Sequence, residues 1–361
     1  MITNPKINFV QLDSVNNPSS MHGIYPYRGK ISAIDARSII EQLPKDGVLL
    51  DPFCGSGTIV YEAQKHGLNA FGIDNNPLAI QLSKAKVYRE TGNSFEEAKE
   101  FIERAKQKLT ENNYQQMPEA PLSNFHSDTA NEIMCLKEFY DEMNDFLKGI
   151  FLGTIALAAR GCNNYVWTSS TVGKNIEPKR YIDFFDKYLS KTKKHSKYLN
   201  SLDCKPATII KGDSRILSTL LEKKSINYVF TSPPYFDGLD YTAYYGKIIY
   251  EIFSADRQEI KKDLIQYVDT YRDDMAKVLS ELNTVMKDTS LSIFVVGDKK
   301  LNGKIVNGGD FFADIQPASY IAERSYSKTS SKVFDVLNKT DRKEQIVVWD
   351  KVKGELINYE R

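Results

Sequence analysis

Val48-Leu49-Leu50 leads through Asp51-Pro52-Phe53-Cys54-Gly55-Ser56-Gly57-Thr58 into Ile59-Val60-Tyr61-Glu62-Ala63. A short apolar run, a turn built on glycines and a helix-like segment, in that order, open an α/β unit. Ala70-Phe71-Gly72-Ile73-Asp74 is a second short strand ending in an acid. Asn75-Asn76-Pro77-Leu78-Ala79 then opens another helix, with proline near the start where its missing N–H costs little. Strand, helix and strand together make a βαβ unit.

Farther along, Ala207-Thr208-Ile209-Ile210, Asn227-Tyr228-Val229-Phe230 and Leu291-Ser292-Ile293-Phe294-Val295-Val296 read as buried strands. Gln345-Ile346-Val347-Val348-Trp349 reads as a last, antiparallel one. The alternation predicts an α/β fold with a doubly wound, Rossmann-like sheet. Between the second strand's helix and Ala207, helical character runs from Ser94 to about Leu109 and from Ala130 to about Ala159, with no convincing strand. The expected organisation is a cofactor-binding half in residues 1–90, a largely helical insertion in 91–205 and a catalytic half in 206–361.

The 361 residues are 41% hydrophobic and 26% charged, which supplies a sizeable core and argues against global disorder. No apolar run approaches the roughly 20 residues that span a bilayer, and Met1 to Asn17 shows no secretory pattern, so a cytoplasmic chain is expected. Cys54, Cys135, Cys162 and Cys204 lie far apart without a CxxC pair, which predicts reduced thiols and no metal. Lysine plus arginine total 48 against 47 acids, so a nucleic-acid partner requires a confined basic face.

A glycine turn after a strand lets a ligand approach the backbone, and the following helix offers unpaired N–H groups. Asp74, 23 positions after Asp51 at the end of the next strand, is placed to accept hydrogen bonds from ribose hydroxyls. Together these indicate a nucleoside-containing cofactor. The turn is neither Gly-x-Gly-x-x-Gly nor a phosphate loop, and Asp51 at its mouth repels a pyrophosphate but suits an amino-acid ammonium. That favours S-adenosylmethionine. The cofactor candidates are Asp51, Phe53, Cys54, Gly55, Gly57, Thr58, Asp74 and Asn75.

Thr231-Ser232-Pro233-Pro234-Tyr235 follows an apolar strand, hence at a carboxyl strand end where α/β proteins build sites. Adjacent prolines stiffen the backbone and leave carbonyls that no local N–H satisfies, so they can hold a flat amino group. Ser232 adds an acceptor, and Tyr235 a plane on which a base stacks for ~1–3 kcal/mol. Plainer readings are a loop cap at Asp51 and a bare Pro-Pro turn.

The pair Asp51-Pro52-Phe53-Cys54-Gly55-Ser56-Gly57-Thr58 and Thr231-Ser232-Pro233-Pro234-Tyr235 closely resembles the exocyclic-amino DNA methyltransferases, which make N4-methylcytosine or N6-methyladenine. The resemblance covers roughly Met21 to Ala85 and Ala207 to Trp349. It implies S-adenosylmethionine as donor, double-stranded DNA as substrate and a flipped target base. It also implies that Met21-His22-Gly23-Ile24-Tyr25-Pro26-Tyr27 closes over the cofactor, although Arg28-Gly29-Lys30 departs from the usual continuation. Gly212-Asp213-Ser214 matches the motif that meets the cofactor adenine, which adds Asp213 and Ser214 to the site; a surface turn is the plain reading. Ser232, Pro233, Pro234 and Tyr235 take the catalytic role, and Ser-Pro-Pro-Tyr forms are associated with N4 of cytosine. Such enzymes act in restriction-modification or phage defence, with a cognate endonuclease or defence subunit as partner.

C5-cytosine chemistry needs a nucleophilic cysteine, usually after proline, and none of the four cysteines follows one. Asp237, after the catalytic motif, reads either as a proton acceptor or as a cap on a helix beginning near Tyr244. The target-recognition candidate is the insertion, assisted by Leu301 to Gly309. Its stretch Lys174 to Lys197 interleaves lysines with Tyr181, Phe184, Phe185 and Tyr188, and reads as a solvated amphipathic helix, a phosphate-contacting face, or both. Lys174, Arg180, Lys191, Lys193 and Lys194 are the DNA-binding candidates. RNA amino-methyltransferases, which share both motifs, and a non-catalytic binding protein are the competing classes.

Overall fold

A computed structural model of the chain describes residues 7, 9, 19–27, 31–164, 180–234, 240–243, 245–301, 304–326, 342–352 and 355–356. Their strands are β1 (Val48–Asp51), β2 (Asn69–Asp74), β3 (Ala207–Lys211), β4 (Ile226–Thr231), β5 (Met286–Gly297), β6 (Lys299–Leu301), β7 (Lys304–Val306), β8 (Tyr320–Tyr326), β9 (Arg342–Val352) and β10 (Glu355–Leu356). The helices are α1 (Ala33–Ile40), α2 (Thr58–His66), α3 (Pro77–Val87), α4 (Ser94–Glu111), α5 (Glu119–Leu122), α6 (Ser127–Lys137), α7 (Asp145–Cys162), α8 (Phe184–Ser196), α9 (Tyr245–Ile252), α10 (Arg257–Lys262), α11 (Val268–Val285) and α12 (Gly308–Ile315).

β3, β2, β1, β4 and β5 lie side by side in that order and run parallel. β9 joins β5 antiparallel, and β8 and β10 pair with the other edge of β9. The chain therefore runs outward from β1 to β3 and then crosses back to place β4 on the opposite side of β1. Sheets of this kind leave a crevice beyond the carboxyl ends of the strands where the order reverses. The glycine turn after β1 and the Pro-Pro motif after β4 both open onto it.

Alternation with period two sorts the sheet residues between two helical layers. Leu49, Tyr228, Phe230, Leu291, Ile293 and Val295 pack into the layer containing residues of α1, α2, α3, α7, α8 and α9. Leu50, Val229, Phe294 and Val296 pack against α11 and α12 on the other face. Every strand expected from sequence is present, and the last is antiparallel as expected. The sequence reading did not include β8, where Glu323 and Arg324 interrupt the apolar pattern, nor the short hairpin of β6 and β7.

The helical stretch from Ala130 to Ala159 is two helices. A turn at Tyr140–Glu142 ends the first, and the Asn144 side chain caps the second by accepting from the Leu147 N–H at 3.0 Å. Helices α4, α6, α7 and α8 share one apolar cluster with α1, α2 and α3. α7 makes the closest approach: a Cβ on Gly153 would lie 1.9 Å from the carbonyl oxygen of Ile24, and one on Gly149 would lie 2.3 Å from the Ala85 Cβ. Gly153→Ala has to push backbone aside, so it is expected to cost about 1–3 kcal/mol and to lower the melting temperature in a thermal melt. An unchanged melting curve would disprove the contact between α7 and residues 20–25.

Candidate active site

The turn between β1 and α2 is held from three sides. From β2, Ile73 accepts from the Cys54 N–H at 2.9 Å, and Asp74 Oδ2 accepts from the Gly55 N–H at 2.9 Å. From α3, Ser83 Oγ donates to the Gly55 carbonyl at 2.8 Å. Lys86, fully buried on the same helix, reaches Ser56 Oγ at 3.2 Å and Thr58 Oγ1 at 3.4 Å. From beyond β3, Ser214 Oγ donates to the Pro52 carbonyl. Gly57 caps α2 at φ +73°, and a Cβ there would meet Ser83 at 2.8 to 3.0 Å, so both conformation and space require glycine.

A cavity of about 830 Å3, open to solvent, lies over this turn. Asp51, Phe53, Cys54, Gly55, Thr58, Asp74, Asn75, Asp213, Ser214, Ser232 and Pro234 all line it. The fold thus brings the expected cofactor turn and the expected catalytic motif to one space. Pro233 is buried and is not among the lining residues, and Gly57 acts from behind as the helix cap. Tyr235 and Asp237 lie outside the described residues.

Asp51 is buried at the end of β1, where its Oδ1 accepts from Thr231 Oγ1 at 2.7 Å and from the Phe53 N–H at 3.2 Å. Burial pushes its carboxyl up to about 7 against the pull of those hydrogen bonds. Asp74 is likewise raised by burial, to about 6, while accepting from the Asn76 and Gly55 N–H groups. Desolvation followed by the fields of Asp74 and Asp51 drives the Cys54 thiol well above its usual range, so it stays protonated and packs. Burial and Asp74 do the same to the Tyr27 hydroxyl beside Gly55.

Asp213 faces the cavity, but both its oxygens are engaged by Arg215, Oδ2 by Nη2 at 2.7 Å and Oδ1 by Nε at 3.0 Å. Sequence reasoning did not foresee that pairing. It also missed the wall formed by Asp263, Leu264 and Ile265, where the Asp263 carbonyl accepts from Asn75 Nδ2 at 3.2 Å. That wall carries no motif, because it is brought in by the turn between α10 and α11. Tyr27, from the stretch expected to close over the cofactor, lines the cavity as well.

Of the DNA-binding candidates, Arg180, Lys193 and Lys194 are exposed, and Lys174 lies outside the described residues. Lys191 departs from expectation. It is half-buried, with Nζ 3.5 Å from the Gly23 carbonyl oxygen, and burial together with Lys194 lowers its ammonium to about 8. It braces residues 19–25. Phe184, Phe185 and Tyr188 are buried as expected, whereas Tyr181 is 44% exposed.

The family model described as D12 class N6 adenine-specific DNA methyltransferase matches residues 34–293. Type II methyltransferase M.MvaI of Kocuria varians is 26% identical over 326 residues, which are 84% of this chain and 64% of the relative. Type II methyltransferase M.MjaII of Methanocaldococcus jannaschii is 29% identical over 82 residues, 22% of this chain and 16% of its own length. The chain thus spans less than two thirds of these curated relatives. Among solved structures, the rRNA methyltransferase aviRa of Streptomyces viridochromogenes aligns over 92% of this chain and 94% of its own, at TM-score 0.36 and 12% identity.

The raised carboxyl of Asp51 has a direct consequence for stability. It titrates near 7 in the fold against 3.8 for a free side chain. The fold favours the protonated acid, so its contribution is fully present below about pH 4 and is lost as pH rises through 7. Asp51→Asn is therefore expected to stabilise the ligand-free protein at pH 8 relative to pH 5, by a few kcal/mol on the order of 1.4 per unit. Thermal melts of both proteins at the two pH values check this, and a pH-independent difference refutes it.

Proposed function

This chain belongs to the D12 class N6 adenine-specific DNA methyltransferase family, and we propose from that premise that it methylates an exocyclic amino group in double-stranded DNA with S-adenosylmethionine as donor. One observation carries the reading: Asp51, Asp74 and Ser232 line a single cavity at the reversal point of the sheet. The residues suit that donor. Two desolvated carboxylates favour a ligand bearing an ammonium and a sulfonium, and the glycine turn leaves room for its close approach.

S-Adenosylmethionine supplies an electrophilic methyl group on its sulfonium. Asp51 holds the amino-acid ammonium, the Phe53 to Thr58 turn the carboxylate end, and Asp74 the ribose hydroxyls. Asp213 and Ser214 flank the adenine, with Arg215 fixing the Asp213 side chain. Ser232 Oγ accepts an N–H of the target amine and aims its lone pair at the cavity, while Tyr235 stacks on the base. No side chain forms a covalent intermediate, so the chain acts by positioning and electrostatics.

The serine at position 232 supports N4 of cytosine as the target. N6 of adenine is the second reading, favoured by the description of the matching family. Arg180, Lys193 and Lys194 form the proposed phosphate-contacting face of residues 91–205, and a cognate restriction endonuclease is the proposed partner.

Purified protein incubated with unmethylated genomic DNA and S-adenosylmethionine, then digested to nucleosides, should yield N4-methylcytosine by mass spectrometry. N6-methyladenine instead would overturn the base choice, and no methylated nucleoside would overturn the function. Ser232→Ala should lower kcat by about 100-fold or more while leaving cofactor affinity within about twofold; equal losses in both refute its role. Replacing Lys193 and Lys194 with glutamate should weaken DNA binding and flatten its salt dependence by about one unit of slope for each lost phosphate contact. An unchanged slope puts the DNA face elsewhere.

A further inference from the structure

We propose that Tyr271 is a positioning residue for the catalytic motif, fixing the Pro234 carbonyl at the cavity wall and with it the course of the chain beside Ser232. The inference rests on the function proposed above. Pro233 and Pro234 have no N–H, so the segment Ser232–Pro234 carries three backbone acceptors and a single backbone donor. The target amine brings two N–H groups, one for Ser232 Oγ and one for a carbonyl. Pro234 lines the cavity, so its carbonyl, left free, would compete for those N–H groups with the pose that aims the lone pair along the transfer line.

The structure removes that competitor. Tyr271, in the first turn of α11 and 2% exposed, donates its hydroxyl to the Pro234 carbonyl at 2.7 Å. Its ring packs on Phe311 of α12, centroids 5.6 Å apart. The bond also fixes the peptide plane through which the chain leaves the motif, because that carbonyl lies in it. Three residues on, Asp274 receives Arg215 Nη1 at 3.1 Å, and the same guanidinium grips Asp213. One face of α11 thus braces the catalytic motif and the acid on the opposite wall of the cavity.

Tyr271→Phe keeps the ring and deletes the donor. Steady-state methylation of unmethylated DNA should show kcat reduced by about tenfold or more, with KM for DNA and the calorimetric Kd for S-adenosylmethionine within about twofold. Phe311→Leu disturbs the same packing without touching the hydroxyl, and should lower the melting temperature while leaving kcat within about twofold. Three results overturn the inference: a kcat of Tyr271→Phe within twofold of wild type, a parallel loss of cofactor affinity, or a kcat loss in Phe311→Leu that matches that of Tyr271→Phe. In each of these the wild-type chain still methylates DNA, so the proposed function stands. A wild-type chain that binds S-adenosylmethionine but methylates no DNA overturns both.

Discussion

A hydrogen bond of 2.7 Å from Thr231 Oγ1 to Asp51 Oδ1 joins the ends of β1 and β4, deep in the crevice and away from bulk water. The two strands are already in register, Leu49 opposite Tyr228 and Leu50 opposite Val229. The bond carries that register into the loops. It sets the acid at the mouth of the glycine turn one residue away from Ser232, and so fixes the spacing between the proposed cofactor and base sites. The remaining braces act on the same two loops: Ser83 and Lys86 from α3, Ser214 from beyond β3, and Tyr271 from α11.

The acids of the chain fall into two groups according to their partners. Asp240 meets Arg257, Lys261 and Thr242; burial pushes its carboxyl up, but these contacts hold it down at about 2. Asp213 is tied to Arg215. Asp51 and Asp74, in contrast, receive hydrogen bonds from neutral donors, a threonine hydroxyl and backbone N–H groups, and burial prevails. Carboxylates held this way cost the ligand-free fold stability and gain most from a cationic guest. The cavity thereby favours a positively charged guest, as the proposed cofactor is, in a way that its shape alone would not specify.

Residues 91–205 are bound to the core by the same close packing that shapes the cofactor side. Tyr61 of α2 donates to the carbonyl of Tyr198, His22 meets Glu62 at 2.6 Å, and Lys191 reaches back to Gly23. Residues 19–25, which lead to Tyr27 in the cavity wall, are therefore clamped between α2 and α8. Lys191, a DNA-binding candidate by sequence, reaches this clamp. Lys193 and Lys194 are exposed on α8, which keeps the proposed surface role open to them.

The central strands, the antiparallel last strand and the two loops of the site were legible in the sequence. Apolar runs with period two and glycine or proline punctuation are local signals, and a strand end followed by Asp-Pro-Phe-Cys-Gly-Ser-Gly has few other conformations open to it. The break at Asn144 was missed because cap and helix residues blend in an apolar background, and β8 because edge strands carry charge. What the sequence could not specify is which separated side chains meet around the cavity: the Asp263–Ile265 wall, the reach of Arg215 to Asp274, the inward turn of Lys191 and the hydroxyl of Tyr271 on Pro234. Each depends on how the strands are ordered in the sheet and how helices pack on it. Contacts of that kind follow from burying both apolar faces at once, so they exist only in the assembled tertiary structure.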